Sequence, residues 1–517
     1  MTESFQLVIG GELQDAASGE TFTSIDPSTG EPMAEVAKAG PEDVDRAVRT
    51  ARKAFDDGPW PRMKGRERAQ ALLKVADLVK QNAASLADLE ARDGGHTIRM
   101  AKNADVGMVI STFRTFAELA GREDDEEPLP RNPGSYNYLR REPIGVCAAI
   151  TPWNFPVQMA AWKIAPAIAA GNAVVLKPAS YTPLSSLELG RLCVEAGIPE
   201  GVVSVVPGSG AAAGETLVSH ELVDKVAFTG STEVGRRIMQ LASGTIKKTT
   251  LELGGKSAQV VLDDVDMDYA ADGVTWGIFF HSGQVCTAGS RVFVQRSIYE
   301  DFVAELVKRA EETVVGPAMD PASDLGPIVA NTQLETIERY VEIGNQEGAK
   351  LLAGGERPTV EGNSGGFYYR PTIFAGDNTM KIAQEEIFGP VLVVIPFEDE
   401  EDAVRLANDS IYGLGGAVWS GNPPRAIKIA EKLRTGTVWI NDYHMINPKY
   451  PFGGYKQSGI GREHGKVGFD EYREVKHVHV DLAGEVRERH PWWDISVPKR
   501  KGRDVPGPET PGSKPAG

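Results

Sequence analysis

The sequence predicts an α/β protein of two domains, each a parallel sheet with helices on its faces. Short apolar strands alternate with amphipathic segments from residue 136 onward: VCAAI, AVVLK, VSVV, KVAF and QVVL. Repeated βα units of that kind build parallel sheets that helices cover. The rhythm resumes after residue 290 with RVFVQ, VLVVIP and GTVWIN, and 517 residues are more than one core organises.

Composition narrows the class. Hydrophobic residues at 41% and charged residues at 25% are ordinary for a globular chain. A formal net charge of -17 argues against a general nucleic-acid or anionic-membrane surface. No apolar run approaches the ~20 residues that span a bilayer. The start, Met1-Thr2-Glu3-Ser4, is acidic where a secretory signal is basic, so a cytoplasmic protein is expected. Three scattered cysteines (Cys147, Cys193, Cys286) exclude a disulfide framework and a thiolate metal site, and no metal is expected.

The elements follow in order. Residues 5 to 36 read as short strands and turns. Pro41-Glu42-Asp43 opens a helix with proline and acids in its first turn. Apolar residues at three- and four-residue intervals predict one helix from near Gly65 through RAQALLKVADLVKQNAASLADLEAR. Residues 123–134, EDDEEPLPRNPG, read as a solvated loop. YNYLRREPIG reads as a strand, and FVAELVKRAEETV and a segment near 331–347 as helices. Beyond His490 the Pro/Gly-rich end reads as a loosely attached tail, where Trp492 and Trp493 offer either a docking contact or a plain surface patch.

Four segments carry residue types that packing alone does not need. In Thr151-Pro152-Trp153-Asn154-Phe155-Pro156, Pro156 fits the first turn of a helix and leaves Asn154 at a strand-to-helix junction. Its side chain can cap the helix or donate to an oxyanion, and the segment alone favours the cap. Phe228-Thr229-Gly230-Ser231 leads from a strand into a helix N-terminus, a ready phosphate site or a plain βα turn. In Leu251-Glu252-Leu253-Gly254-Gly255, burial would raise the Glu252 pKa toward that of a useful base, unless a Lys or Arg pairs with it. Cys286 stands among small residues, SGQVCTAGSR, with the open space a reactive thiol needs; Cys147 and Cys193 have apolar neighbours and read as inert.

Taken together and in this order, the segments resemble the aldehyde dehydrogenase superfamily, the NAD(P)-dependent, non-acylating enzymes that oxidise aldehydes to acids. The resemblance runs over roughly residues 5 to 480 and rests on PWNFP, WKIAPA, LKPAS, FTGSTEVG, LELGGK, GQVCTAGSR, EEIFGPV and PFGGYKQSGIGRE. The 34-residue separation of Glu252 and Cys286 fits it. It implies two Rossmann-like parallel-sheet domains, cofactor-binding and catalytic, with a small β oligomerisation arm. The implied boundaries are 1–125 and 146–251 for NAD(P) binding, 252–440 for catalysis, 126–145 and 468–489 for the arm, and 490–517 for the tail. A homodimer or homotetramer is implied too.

Carried over by resemblance, Cys286 is the nucleophile, Asn154 the oxyanion donor, Glu252 the base that activates water, and Glu463 an aid to proton traffic or else a surface salt bridge. Trp153, Lys177, Ser180, Gly230, Ser231, Gly254, Glu386 and Phe388 are the cofactor residues. Ser180 departs from the glutamate usual in NAD-preferring members, so NADP is expected to be accepted beside NAD. Phe155, Met159, Trp162, Phe280 and Phe452 are expected to line the substrate pocket, with Asn441, Tyr443, His444 and Ile446 in a specificity loop. That wall implies an apolar aldehyde, aromatic or long-chain; a betaine or amino aldehyde held by cation–π contacts is the alternative. A Cys-dependent esterase using His281 or His464 is the competing class.

Overall fold

The structure is a computed structural model that describes residues 3–122, 126–130, 135–482 and 495–496. Most of the tail, with Trp492 and Trp493, lies outside the described residues, as does the loop 123–134 apart from 126–130. No helix among the described residues is long and apolar enough to cross a membrane.

The first large sheet has five parallel strands in the order Lys248–Glu252, Lys225–Thr229, Val146–Ile150, Ala173–Lys177 and Val203–Val205. Gly459–Ile460 extends one edge and the hairpin Leu7–Ile9 with Glu12–Gln14 the other, all antiparallel. Val146–Ile150, Ala173–Lys177 and Lys225–Thr229 are buried along their whole length, which is why they read as unbroken apolar runs rather than alternating ones. The chain winds outward from Val146–Ile150 in both directions, so the crossovers reverse between that strand and Lys225–Thr229. The loops that leave the C-terminal ends of these two strands diverge, and the crevice between them is where doubly wound sheets bind ligands.

The second large sheet runs Lys350–Ala353, Thr372–Ala375, Val391–Phe397, Arg291–Gln295, Ala258–Val261, Gly415–Trp419, Thr437–Ile440, parallel except for its first strand. The α/β fold expected from the alternating pattern, with its two wound parallel sheets, is therefore present.

The periodicity from Gly65 does not make one helix. It makes two, Gly65–Gln81 and Ala83–Gly94, because Asn82 leaves helical geometry at φ -98°, ψ 16° and its side-chain amide donates back to the Leu78 carbonyl at 2.9 Å. Glu126–Pro128, expected as loop, pairs as a strand with Ser135–Pro143. With Arg473–Asp481 these form a three-stranded sheet, order Arg473–Asp481, Ser135–Pro143, Glu126–Pro128. The residues of that sheet from 126–142 and from 475 onward cluster as a compact unit of their own; both large sheets lie within the other unit.

Candidate active site

The loop after Val146–Ile150 places Asn154 just before the helix Pro156–Ala170, whose first residue is the proline. Phe155 occupies the capping position, and no side chain caps this helix. The Asn154 amide instead donates to the Gln284 carbonyl at 2.8 Å, so the capping reading that the segment alone favours is not realised. Gln284 is itself held at both ends of its side chain: Nε2 donates to the His281 and Pro327 carbonyls at 3.2 and 3.3 Å, and Oε1 accepts the Val329 N–H at 2.9 Å. Asn154 is thereby tied to the loop of Cys286 two residues before the thiol, with its second amide hydrogen uncommitted.

Cys286 is half-buried and packs against the small cluster of Met159, Trp162, Leu414 and Phe452. Cys147 and Cys193 are fully buried, and burial pushes both thiols up to about 12. The Cys286 thiol is also pushed up to about 12, by burial first and then by the Glu386 and Glu252 carboxylates. Gly255 backs it: a Cβ there would stand 2.3 Å from the Cys286 carbonyl oxygen, so only glycine lets the two segments approach. His281 and Ser282 take left-handed φ of 49° and 53°, and Ser282 Oγ donates to the Gly326 carbonyl at 2.7 Å. Two consecutive non-glycine residues in that region are costly and hold only where surrounding bonds impose them.

Glu252 ends the strand Lys248–Glu252, is buried, and leaves Oε2 without a hydrogen-bond partner. Burial, then the neighbouring Glu463 charge, raises its pKa well above the usual carboxylate range, the condition of a base poised nearer neutrality. Glu463 lies outside the cavity wall. Its salt bridge is real but not superficial: it pairs with Lys163, and both side chains are buried.

Ser231 caps the helix Thr232–Ala242, Oγ accepting the Val234 N–H at 3.3 Å. Gly235 in its first turn packs closely, since a Cβ there would stand 2.5 Å from the end of the Leu253 side chain. Glu386 Oε1 accepts the Gly255 N–H at 2.9 Å, and burial lifts this carboxyl to about 7. Trp153 and Phe388 meet edge to face at 5.1 Å. Lys177 and Ser180 do not line the cavity with the others. Lys177, lowered to about 8 by burial, donates to the Pro178 carbonyl at 2.8 Å, and Ser180 Oγ donates to the Gly208 carbonyl at 3.0 Å. A helix N-terminus, a glycine cradle at Gly254, a hydroxyl-accepting carboxylate at Glu386 and a buried amine at Lys177 are a donor set that fits a dinucleotide.

One cavity of about 690 Å³ contains Trp153, Asn154, Gly230, Ser231, Glu252, Gly254, Cys286, Glu386 and Phe388 in its wall, together with all five pocket residues, Phe155, Met159, Trp162, Phe280 and Phe452. Of the specificity loop, His444 and Ile446 reach it; Asn441 bonds Ser420 through both ends of its amide and Tyr443 donates to the Thr287 carbonyl, so neither offers a free polar group. Sequence reasoning missed Trp276, whose ring lies 4.3 Å from Phe280, and Met108 and Ser111 on the helix Val106–Arg122. Trp276 had a signal: it stands four residues before Phe280, on one helical face.

The histidines do not equip a hydrolase. His281 lies outside the cavity wall and burial holds it well below the ordinary range, whereas His464 packs on Trp162 at 4.0 Å and is lowered to about 3. His444 uses both ring nitrogens, on Thr287 and on the Gly277 carbonyl.

The sequence model of the aldehyde dehydrogenase family matches residues 14–478. The chain is 46% identical over 474 residues to the betaine aldehyde dehydrogenase of Bacillus subtilis, covering 92% of this chain and 96% of that one. It is 46% identical over 482 residues to the mitochondrial aldehyde dehydrogenase of Homo sapiens, covering 92% of each. Among solved structures, the betaine aldehyde dehydrogenase of Staphylococcus aureus in complex with NAD+ superposes with a TM-score of 0.91 at 39% identity, covering 93% of this chain and 95% of that one. The NAD+ complex of an aldehyde dehydrogenase from Bacillus cereus has the same TM-score at 45% identity, covering 93% and 97%.

Proposed function

The chain belongs to the aldehyde dehydrogenase family, and from that premise we propose that it oxidises an apolar aldehyde, aromatic or long-chain, to the free carboxylic acid with NAD or NADP. The observation that carries this reading is the Asn154 amide clamped beside Cys286, in one apolar cavity with the unpartnered carboxylate of Glu252.

Cys286, once its thiol proton has passed to solvent, adds as the thiolate to the aldehyde carbon and gives a thiohemiacetal. The oxygen anion that forms is met by the free Asn154 amide hydrogen and the Cys286 backbone N–H. A nicotinamide held in the crevice would supply the hydride acceptor needed to oxidise this adduct to a thioester on Cys286. Glu252 then takes a proton from water as it attacks the thioester; the thiolate leaves, and the acid is released. Lys177 and Glu386 would hold ribose hydroxyls, Ser231 would present the helix N-terminus to the pyrophosphate, and Trp153, Gly230, Gly254 and Phe388 would shape the cleft. Glu463, through Lys163, stands behind Glu252 as an aid to proton movement.

Around the cavity, Phe155, Trp162, Phe280, Phe452 and Trp276 form walls without a carboxylate beyond Glu252 and Glu386. These walls suit an apolar chain or ring. The same rings suit a quaternary ammonium, and the resemblance to betaine aldehyde dehydrogenases keeps that second reading. A homodimer or homotetramer is proposed through the sheet of Arg473–Asp481, whose strand is exposed at seven of nine positions and lies at an edge. The unpaired thiols suit a reducing cytoplasm.

The test is a panel of aliphatic, aromatic and trimethylammonio aldehydes with both cofactors, and mass spectrometry of a Glu252→Gln variant during turnover. An acyl adduct on Cys286 is expected; its absence sinks the covalent mechanism. The highest kcat/KM is expected for apolar aldehydes, and a trimethylammonio preference selects the betaine reading.

A further inference from the structure

Behind the Asn154 peptide lies a group of buried ionisable side chains that this reaction does not use. Glu90, on the helix Ala83–Gly94, His96 just past it, and Asp105, at the end of the wide turn Ala101–Asp105, have no solvent exposure. The His96 ring is placed between two acceptors. Its Nδ1 stands 2.6 Å from Asp105 Oδ2, and its Nε2 stands 2.9 Å from the backbone oxygen of Asn154. The rest of the group ties the first turn of the helix that follows Asn154. Asp105 Oδ1 accepts from Gln158 Nε2 at 2.6 Å, and Glu90 Oε1 accepts the Val157 N–H at 3.2 Å. The His281 ring lies 4.1 Å from the His96 ring, and Phe155 meets it edge-on at 5.6 Å.

A proton count follows from the geometry. A carbonyl oxygen and a carboxylate oxygen both accept and neither donates, whereas a neutral imidazole has one N–H. Satisfying both contacts takes two protons between His96 and Asp105, whichever side of the 2.6 Å contact the second one occupies. Burial pulls the imidazolium down, but the Asp105 charge and hydrogen bond, with the Asn154 carbonyl and Glu90 when it is ionised, outweigh it, and the net pKa lies above the ordinary histidine value. Of the titratable groups facing this ring, Glu90 is pushed up to about 8, by burial first, against the pull of the His96 charge. His281 is held well below the ordinary range, first by burial and then by the His96 charge, and stays neutral. Glu90, His96 and Asp105 offer three ligand atoms within 4.8 Å of one another, but both His96 nitrogens are already taken, which leaves none for a cation.

We propose that His96 is a positioning residue for aldehyde oxidation: paired with Asp105, it donates from Nε2 to the Asn154 carbonyl and fixes the peptide whose side-chain amide meets the oxyanion at Cys286. This rests on the reading of Asn154 as oxyanion donor. The sign of the pH effect is set by the raised pKa of His96. The doubly protonated arrangement is complete below that pKa and is lost as pH rises through it. The Nε2 lone pair then faces the carbonyl, or the Asp105 contact breaks, and turnover falls on the alkaline side.

The experiment compares full-length wild type with His96→Phe, His96→Gln and Asn154→Ala at saturating aldehyde and cofactor, from about pH 6 to about pH 10. His96→Phe is expected to lower kcat roughly 10- to 100-fold, the scale of a misplaced catalytic group, with the cofactor KM unchanged. His96→Gln keeps a donor where Nε2 stands and does not titrate. It is expected to recover most of the kcat and to lack the alkaline fall of the wild type. A wild-type kcat in His96→Phe, or an alkaline fall retained in His96→Gln, overturns the proposal. If His96→Phe does not fold, the pH profile of His96→Gln decides alone. A wild-type rate in Asn154→Ala would instead remove the oxyanion reading itself, whereas loss in Asn154→Ala with none in His96→Phe removes only the role of His96.

Discussion

Glu386 and Gly254 stand so close that a Cβ on the glycine would lie 2.3 Å from the carboxylate Oε2. The carboxylate is fixed from the other side by the Gly255 N–H, so it cannot retreat without losing that bond. If Glu386 holds a cofactor ribose as proposed, Gly254→Ala is expected to displace it and raise the cofactor KM by roughly tenfold, the loss of about one charge-assisted hydrogen bond. The aldehyde KM should change little. Steady-state kinetics with varied cofactor checks it, and an unchanged cofactor KM would detach Glu386 from that role.

The raised Cys286 thiol sets a second expectation. With a pKa pushed up to about 12, the resting enzyme holds almost no thiolate at neutral pH, and alkylation of Cys286 by iodoacetamide should accelerate about tenfold per pH unit up to at least pH 9. Burial is the largest cause, but the Glu386 and Glu252 charges add to it. Glu252→Gln should therefore speed alkylation in the resting enzyme while abolishing release of the acid. Slower alkylation in that variant would instead make Glu252 the base for the thiol.

Much of this arrangement was legible in the chain. Unbroken apolar runs announced the parallel sheets because their strands are buried on both faces, and Cys286 stood out because its neighbours are too small to seal a thiol. The role of the Asn154 side chain was not legible locally. Its partner, the Gln284 carbonyl, is 130 residues away, and from PWNFP alone a cap is the natural reading. The Lys163–Glu463 pair and the His96–Asp105 group were hidden for the same reason, since a buried ion pair and an exposed one have the same letters. Trp276 could have been found by following the helical face back from Phe280. Asn82, a strong backbone competitor inside a periodic run, was the one signal that the helix from Gly65 would break.

Lys163 and Glu463, 300 residues apart in sequence, form a buried ion pair. Removing one partner of such a pair leaves an uncompensated charge in the interior, which costs about 3–5 kcal/mol, whereas replacing both with apolar residues is often close to neutral. Lys163→Met is expected to lower the denaturant midpoint sharply, and Lys163→Met with Glu463→Leu to recover most of that loss. The double variant should still lose activity if Glu463 assists proton movement behind Glu252. A double variant no more stable than Lys163→Met would show that the pair contributes through something other than charge compensation.

Ser180 bears on the choice between NAD and NADP. Its hydroxyl is committed to the Gly208 carbonyl at 3.0 Å, so the position presents no negative charge to a 2′-phosphate. Lys177, three residues earlier at the end of the strand Ala173–Lys177, is a buried amine that suits an anionic or hydroxyl-rich ligand. Ser180→Glu places a carboxylate where the 2′-phosphate would come. Like charges at a few ångströms in a partly desolvated site cost about 1–3 kcal/mol, so the ratio of kcat/KM for NADP to that for NAD should fall by roughly 10- to 100-fold. The change should appear in the NADP KM and leave kcat with NAD near wild type, because the reacting end of the cofactor is proposed to lie at Cys286 and Glu386 rather than here. If the wild type rejects NADP and Ser180→Glu alters neither cofactor's kinetics, discrimination is set elsewhere in the crevice.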